Sequence, residues 1–403
     1  MEIRARVSQW LLWCGHAARI QLTIVLLAGA AFAPGAQAQF FNTTLYGVVN
    51  VDFELVNGRQ PDGSNPTVNR VSSNSSRFGI RGVDYLGAGN TAIFQIESLV
   101  QADTGASNSW PNIATRETYI GLQGEWGTFR TGKFYAPYDD ILPIFGNAPT
   151  LTTSILSTAA IWAQGPLLKG QGGFDARLGN SIRYDSPTFD SFSGTLYYST
   201  RDSSGDADGA IGNNGDHPSE MRHAYVADVA GFYNNGPIDL GMAYEHNYNV
   251  RAPLGRNDDA FSVAGGYDFG TVWQNVGLRL AAAYEYLRYD TPTGSLKRNF
   301  YAVSATVSVG DGVIYAFWGR SPDGFGTAVD GTQIGGLSKG ANSAATQWEV
   351  SYSYPLSPRT LLYAGFVQLA NQANAAYTFN INSYFTAQGA RLNGAVFGIA
   401  HVF

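Results

Sequence analysis

Charged side chains recur at alternate positions of strand-like segments in this chain of 403 residues. In the segment SSRFGIRG, Arg77 and Arg81 share one face with Gly79, whereas Phe78 and Ile80 lie on the other. Carboxylates alternate with apolar residues in the same way in QWEVSYSY and GLRLAAAYEY. Fixed charges along a water-filled passage would set its ion preference through the local potential. The pattern alone also allows a soluble sheet with one charged, water-facing side.

The sequence offers no group of residues suited to catalysis or metal binding. It contains no G-x-S-x-G segment and no nucleophile placed beside a base, so we do not expect an enzyme. The histidines lack the spacing of metal ligands. Asp206, Asp208 and Gly209 match part of a calcium-binding loop, but the glutamate that would complete the ligand set is missing. We therefore expect a solvated loop at 202–216 and no metal ion or cofactor.

Residues 1–38 have the pattern of a secretory signal peptide. Three arginines flank the apolar run IQLTIVLLAGAAFA, and a small-residue A-x-A pattern ends at Ala38. This run is too short to cross a membrane as a helix, which takes about 20 apolar residues. Cleavage after Ala38 would remove Cys14, the only cysteine, and would change the formal net charge from −6 to −8. The mature protein would then contain no disulfide bond.

The composition favours a β-rich protein that does not bind nucleic acid. Glycine, tyrosine and phenylalanine are abundant, with 48, 23 and 23 copies. Only 14% of the residues are charged, below the roughly 25% that is usual for soluble domains. The acidic net charge argues against a nucleic-acid partner.

Alternation with a period of two residues is the main pattern along the chain. In QWEVSYSY, for example, Trp348, Val350 and Tyr352 lie on one face, with Glu349 and Ser351 on the other. Short connections such as GEWG alternate with long polar ones such as that at 135–179. The alternating segments number about sixteen, and an even strand number with short turns at one end and long loops at the other is typical of transmembrane barrels.

A sheet that spans a membrane must close on itself, because every backbone N–H and C=O group in lipid must be paired. The sequence therefore predicts an all-β fold, a 16-stranded antiparallel transmembrane β-barrel that occupies residues 39–403 as one domain. The last strand would turn its apolar side to lipid, end at Phe403 and pair with the segment TLYGVVNVDF.

Several segments resemble the general diffusion porins of Gram-negative outer membranes, especially the β-proteobacterial type. They are TLYGVVNVDF, SSRFGIRGVDYLGAGNTAIFQIES, RETYIGLQGEWGTFRTGKFYAPYDD, NSIRYDSPTFDSFSGTLYYS and the terminal GIAHVF. The resemblance extends with gaps from about residue 40 to residue 403 and implies a homotrimer in the cell outer membrane. It also implies a long third loop folded into the pore, and a C-terminal strand, ending in Phe403, that the barrel assembly machinery recognises.

The same resemblance implies a basic wall that faces the third loop. The basic positions are Arg77, Arg81, Arg130, Lys133 and Arg183. Acidic residues of the loop usually oppose such a wall, but here the stretch 141–174 contains none, and only Asp139 and Asp140 precede it. Arg116 shares its alternation with Thr118, which suggests a place on the lipid side or at the rim.

The expected function is passive diffusion of ions and small hydrophilic solutes through the outer membrane. A substrate-selective channel of the same build and a barrel that serves as an adhesin or structural anchor remain alternatives. Because the narrowest section decides the selectivity and the third loop has few acids, we expect a weak preference for anions despite the negative net charge. Outer-membrane lipids and the assembly machinery are the other expected partners.

Overall fold

The computed structural model describes residues 42–105, 113–146, 154–164, 173–200, 224–249, 255–271, 277–384 and 387–403. The predicted signal peptide and the loop at 202–216 lie outside this part of the chain. No helix in the described ranges is long and apolar enough to cross a membrane.

The described residues form sixteen antiparallel strands in one closed sheet. The strands are Asn42–Arg59 (β1), Thr67–Ser73 with Arg77–Gly87 (β2), Asn90–Leu99 (β3), Thr118–Gly124 (β4), Gly127–Tyr135 (β5), Arg177–Asp185 (β6), Phe192–Ser199 (β7), Tyr225–Asn235 (β8), Ile238–Tyr248 (β9), Asn257–Asp268 (β10), Leu278–Thr291 (β11), Gly294–Val309 (β12), Gly312–Ser321 (β13), Ala345–Ser357 (β14), Thr360–Asn371 (β15) and Arg391–Val402 (β16). Three short strands, Phe325–Gly326, Gln333–Ile334 and Leu337–Ser338, lie in the connection between β13 and β14. The predicted barrel is thus confirmed.

Strand β2 is interrupted in the middle but remains a single member of the barrel. Its two segments pair in turn with the two halves of β1. At the break, Ser75 has a positive φ of 54°. The Ser76 hydroxyl accepts a hydrogen bond from the Asn50 amide at 3.0 Å and donates to the Asn50 carbonyl at 2.9 Å. The Ser76 side chain therefore takes the place of the backbone hydrogen bonds that are missing at this break.

The first and last strands close the ring. Strand β16 pairs with β1 over twelve residue pairs, from Val48 with Val402 to Arg59 with Arg391. Phe403 continues the ladder, since its amide and carbonyl exchange hydrogen bonds of 3.1 and 3.0 Å with Gly47. A Cβ atom at Gly47 would meet the Phe403 ring at 2.3 Å, so glycine leaves the space in which the terminal ring packs.

The two faces of the sheet differ as the alternation predicts. On β1, Leu45 is 63% exposed and Phe53 is 47% exposed, whereas Asp52 and Glu54 are buried inside the barrel. On β16, Phe397 is 62% exposed on the outer face. Apolar side chains thus cover the outside and polar ones line much of the inside, the reverse of a soluble protein and the arrangement that lipid demands.

The inside of the barrel is partly filled by two connections rather than one. The third loop, which leaves β5, contributes an apolar core that includes Tyr138, Phe145 and Trp162. The last long connection, between β15 and β16, also turns inward and buries Tyr377 and Phe379. The sequence predicts this role for the third loop alone. This inward turn buries the aromatic residues Tyr377, Phe379 and Tyr384.

Replacing Ile80 with arginine should destabilise the barrel far more than replacing Gln95. Ile80 is 41% exposed on the outer face, whereas the Gln95 side chain lies inside, 3.4 Å from the Tyr119 hydroxyl. A lipid-facing charge costs about 2–4 kcal/mol at mid-bilayer, while an inner position of β3 keeps access to water. The free energy of unfolding from lipid vesicles in urea measures this. Equal losses in the two variants would contradict the assignment of faces.

Candidate pore constriction

The third loop begins with a turn of 3-10 helix, Pro137–Ile141, that continues as the short α-helix Leu142–Phe145. Proline starts the helix well because its fixed φ suits the first position and its missing N–H is not needed there. The Tyr138 amide donates a hydrogen bond of 2.7 Å to the carboxylate of Asp228 on β8. The barrel wall therefore supplies the acceptor that the helix start lacks, and the loop is held from its first turn.

A buried ion pair on the barrel wall holds the middle of the loop. Glu285 on β11 pairs with Arg298 on β12, and both side chains are completely buried. Glu285 accepts hydrogen bonds of 2.8 Å from the Tyr138 hydroxyl and from the Ala163 amide. Arg298 donates one of 2.5 Å to the Ile161 carbonyl. One charged pair therefore binds two separate segments of the loop.

Apolar contacts complete the attachment. Trp162 stacks on Tyr138 with ring centroids 5.4 Å apart and meets Phe145 edge-on at 5.6 Å. Glycines on the wall admit the loop's aliphatic side chains, since a Cβ atom at Gly394 would lie 2.4 Å from Ile155. These contacts place the loop against strands β8 to β16 and leave the side formed by β2 to β6 as the candidate path for solutes.

Glu97 on β3 organises the first group of arginines on that side. Its carboxylate lies 3.5 Å from Arg77 Nε and 2.7 Å from Arg116 Nε, and it accepts a hydrogen bond of 3.0 Å from the Tyr46 hydroxyl. Gly79 leaves room for the Tyr46 ring, which a Cβ atom would meet at 2.7 Å. The structure therefore pairs Arg77 with a strand carboxylate rather than with an acid of the third loop.

Asp185 on β6 organises the second group. Arg130 Nη2 lies 2.7 Å from Asp185, and Arg183 Nη2 bridges Asp185 at 2.8 Å and Asp140 at 2.5 Å. The Arg130 guanidinium also lies over the rings of Tyr119 and Phe134, 5.3 Å from each centroid. Of the predicted wall, Arg130, Arg183 and Asp140 are thus brought together, with Asp185 as the residue that joins them.

Two further arginines lie on aromatic rings of the same wall. Arg81 is 5.0 Å from the Tyr46 ring centroid and has no carboxylate within ion-pair distance in the described residues. Arg177 lies 3.8 Å from the Tyr135 centroid. Arg177 is not among the residues predicted from the sequence. Its position directly after the third loop, at the start of β6, is the sequence feature that could have identified it as a residue of the wall.

Lys133 does not join this wall. The register places Lys133 opposite Thr118, and Thr118 opposite Ile96, which is exposed on the outer face. The ladder between β5 and β6 shifts between Gly132 and Phe134, and Phe134 turns inward and is buried. Lys133 therefore faces outward, unlike the predicted position in the constriction.

Arg116 also differs from its predicted position, but it lies inside the barrel rather than at the lipid side or the rim. The Glu97 amide donates to the Glu117 carbonyl, and the Arg116 amide donates to the Glu97 carbonyl. Arg116 and Glu117 therefore both lie opposite the single residue Glu97. Such a bulge breaks the period of two. The Arg116 side chain is only 12% exposed and pairs with Glu97 inside the barrel, not at the lipid side that its spacing from Thr118 suggested.

Carboxylates at the two ends of the third loop are less acidic than free ones. Burial, with repulsion from Asp175 and Asp140, raises the pKa of Asp139 well above its usual range. Burial also raises the pKa of Asp175 to about 6. Burial raises the pKa of Asp140 as well, although Arg183 opposes the shift. The loop therefore carries less negative charge near neutral pH than its three aspartates would suggest.

The comparisons with known proteins agree with this architecture. The family model for Gram-negative porins matches residues 23–374. The chain belongs to the Gram-negative porin family. It is 28% identical to an outer membrane porin of Bordetella pertussis, over 85% of this chain and 92% of the relative. This porin is therefore an outer-membrane channel for passive diffusion and not an enzyme.

Two solved structures show the same fold. The anion-selective porin from Comamonas acidovorans is 21% identical with a TM-score of 0.70, covering 90% of this chain and 100% of that one. OmpT of Vibrio cholerae in its trimer form is 14% identical with a TM-score of 0.61, covering 91% and 100%. These structures support the barrel described above.

Replacing Glu285 with alanine should loosen the third loop of this porin. Arg298 would remain charged and buried, and removing one partner of a buried pair costs about 3–5 kcal/mol. We expect a lower free energy of unfolding and more frequent current fluctuations in single-channel recordings.

The double variant Glu285→Leu with Arg298→Met is the matched control. It removes both charges, so most of the stability should return, while the current fluctuations persist because the loop's hydrogen-bond partners are still missing. A quiet channel in both variants would refute the role of the pair in holding the loop.

Proposed function

We propose that this porin is a homotrimeric pore whose constriction weakly favours small anions over cations. The observation that carries the proposal is the arginine-rich wall of β2 to β6 opposite a third loop without acids in its middle. Ions and small hydrophilic solutes are the proposed cargo, and residues 1–38 are the proposed export signal.

The charges of the wall support a small positive excess. The arginines are Arg77, Arg81, Arg116, Arg130, Arg177 and Arg183, and the carboxyl groups around them are Glu97, Glu117, Asp139, Asp140, Asp175 and Asp185. If all of these groups were ionised, the positive charges of the arginines and the negative charges of the carboxyl groups would cancel. Because the pKa values of Asp139 and Asp175 are raised, part of the negative charge is lost at neutral pH. Arg81 is exposed in the lumen without an ion partner in the described residues, so it meets a passing anion first.

The net charge of the whole protein does not oppose this reasoning. Exposed charges farther than about 8–10 Å from an ion are largely screened at physiological salt. Ion preference depends on the groups that line the narrow section. The relative from Comamonas acidovorans is named as anion-selective, which agrees with the proposed sign.

A trimeric assembly is supported by the relatives rather than by contacts within one chain. OmpT of Vibrio cholerae has been solved in a trimer form and shares the fold. Closed symmetry is the usual arrangement of soluble oligomers built from one chain, and a trimer of barrels satisfies it. Three copies would give three separate pores, since each barrel closes on itself.

Replacing Arg77 and Arg183 together with serine should shift the selectivity toward cations. The variant leaves Glu97, Asp140 and Asp185 with fewer positive partners. The zero-current potential across a tenfold KCl gradient in a planar bilayer measures the change, and we expect it to move by several millivolts and to reverse sign.

Asp185→Asn is the matched control for that experiment. It frees Arg130 and Arg183 from their shared carboxylate and should increase the preference for anions. A cation-selective native channel, or a double variant with unchanged potential, would contradict the proposed constriction.

Phe403 is proposed as the terminal signal for assembly as well as a packing residue. Its ring occupies the space above Gly47 and is 45% exposed on the outer face. Deleting Phe403 should reduce the amount of membrane-inserted, heat-modifiable trimer severalfold, because both the signal and the last pairing with β1 are lost.

The conservative variant Phe403→Tyr tests whether an aromatic ring at this position is sufficient or whether phenylalanine itself is required. It keeps the packing and should insert at nearly the native level. Equal insertion of the native and the deleted protein would eliminate the proposed signal.

A further inference from the structure

Four polar groups are buried between the third loop and the barrel wall without a hydrogen-bond partner among the described residues. They are Gln347 Oε1, Glu349 Oε1 and Ser351 Oγ on β14, and Thr158 Oγ1 on the third loop. None of these four residues is more than 2% exposed. A buried polar atom without a partner is costly, and native proteins contain few of them. Four such atoms under one loop therefore point to a group that they bind in common.

Glu349 differs from the interior carboxylates described above. Glu97, Asp185 and Glu285 each pair with an arginine. In the part of the chain that the structure describes, no basic side chain lies within ion-pair distance of Glu349. A buried carboxylate that lacks a cation is strongly unfavourable.

The strands on either side of Glu349 offer it no donor. Its neighbours across the ladder are Phe317 on β13 and Val367 on β15, both buried. Gln347 Nε2 lies 3.5 Å from Glu349 Oε2, which is long for a hydrogen bond. The Glu349 carboxylate therefore has one weak contact with an amide and an unsatisfied second oxygen.

One segment of the third loop covers this part of β14. Leu156 packs beside Ser351, since a Cβ atom at Gly365 would lie 2.8 Å from both side chains. The Ser157 carbonyl accepts a hydrogen bond of 2.9 Å from Gln347 Nε2. The segment thus closes the space above the strand from the pore side.

Thr158 reaches the same space from the direction of the loop's helix. A Cβ atom at Gly146 would lie 2.6 Å from the Thr158 hydroxyl. The carbonyl of the preceding Phe145 accepts a hydrogen bond of 2.7 Å from the Tyr315 hydroxyl, and Tyr315 is directly opposite Ser351 in the ladder. The loop hydroxyl and the groups of β14 therefore converge on one buried volume.

The four groups form a ligand set for a hard monovalent cation. They supply one carboxylate oxygen, one carboxamide oxygen and two hydroxyl oxygens, and hard cations prefer oxygen ligands. The set contains no nitrogen or sulfur, which transition metals would favour. A single positive charge balances the carboxylate, whereas a divalent ion would leave one buried charge uncompensated.

We propose that a sodium ion binds behind the third loop, held by Glu349, Gln347, Ser351 and Thr158. The ion joins the middle of the loop to β14, at a different place from the Glu285–Arg298 pair. It lies on the side of the loop away from the arginine wall, so it holds the loop in place and does not take part in selecting solutes. The sequence predicts no metal ion, because a single carboxylate among neutral groups has no recognisable ligand spacing.

The thermal stability of the purified protein in sodium and in choline chloride tests the proposal. A ligand that binds only the folded protein raises its stability with concentration, and choline is too large for the site. At equal ionic strength, we expect the midpoint of heat denaturation to be about 3 °C or more higher in sodium chloride.

Two variants assign this difference to the site. Glu349→Gln keeps the shape of the side chain and removes its charge, and Thr158→Val removes the ligand of the loop without changing the barrel wall. Both should reduce the difference between the two salts to nearly zero. Because Thr158 lies outside the strands, its variant still tests the site if Glu349→Gln does not fold.

Glu54→Gln is the matched control. Glu54 is also a buried acid of the barrel interior, but it pairs with Arg70 at 2.5 Å. Its loss should lower the midpoint in both salts alike and preserve the sodium effect.

Equal midpoints of the native protein in the two salts would overturn the proposal, and so would a sodium effect that persists in Glu349→Gln and Thr158→Val. A midpoint of Glu349→Gln that rises equally in both salts would show a protonated carboxyl group in place of the ion, which also overturns it. Potassium chloride that stabilises as well as sodium chloride would overturn the choice of ion.

Discussion

The architecture of this molecule depends on one constraint: each backbone N–H and C=O group in contact with lipid must be hydrogen-bonded. A sheet meets it only by closing, and here closure depends on the pairing of β1 with β16. Strand β16 is therefore as necessary to the barrel as β1, and Phe403 continues its ladder to Gly47. Once the ring is closed, the outward side chains must be apolar, and every charged group that function needs must lie inside or at the rim.

The number of strands and the two faces of the sheet could be predicted from the sequence, because the period of two repeats with few errors. The constriction could be predicted only in part. Arg77, Arg130 and Arg183 lie inside as expected. A bulge moves Arg116 inward, whereas Lys133, three positions from Arg130, faces outward by the regular alternation of β5. A bulge changes the alternation by one residue, and nothing in the spacing around Arg116 marks where it occurs.

The inward turn of the last long connection was also beyond sequence reasoning. Tyr377 and Phe379 gave no periodic signal, since irregular backbone has none, and their burial depends on partners far apart in the chain. The acids that neutralise the arginines are a further example. Glu97 and Asp185 could be named as mid-strand carboxylates, but only the register shows which arginine each one meets.

The last connection has a consequence for how the surface of this porin can vary. Asn382 donates hydrogen bonds to Glu54 and Asn74, and Arg70 on β2 bonds to its carbonyl. A segment so tied to the barrel interior cannot change freely, although it connects two strands at the extracellular end. Sequence changes and inserted peptide tags are therefore better tolerated at an exposed turn such as 61–65, whose residues touch solvent.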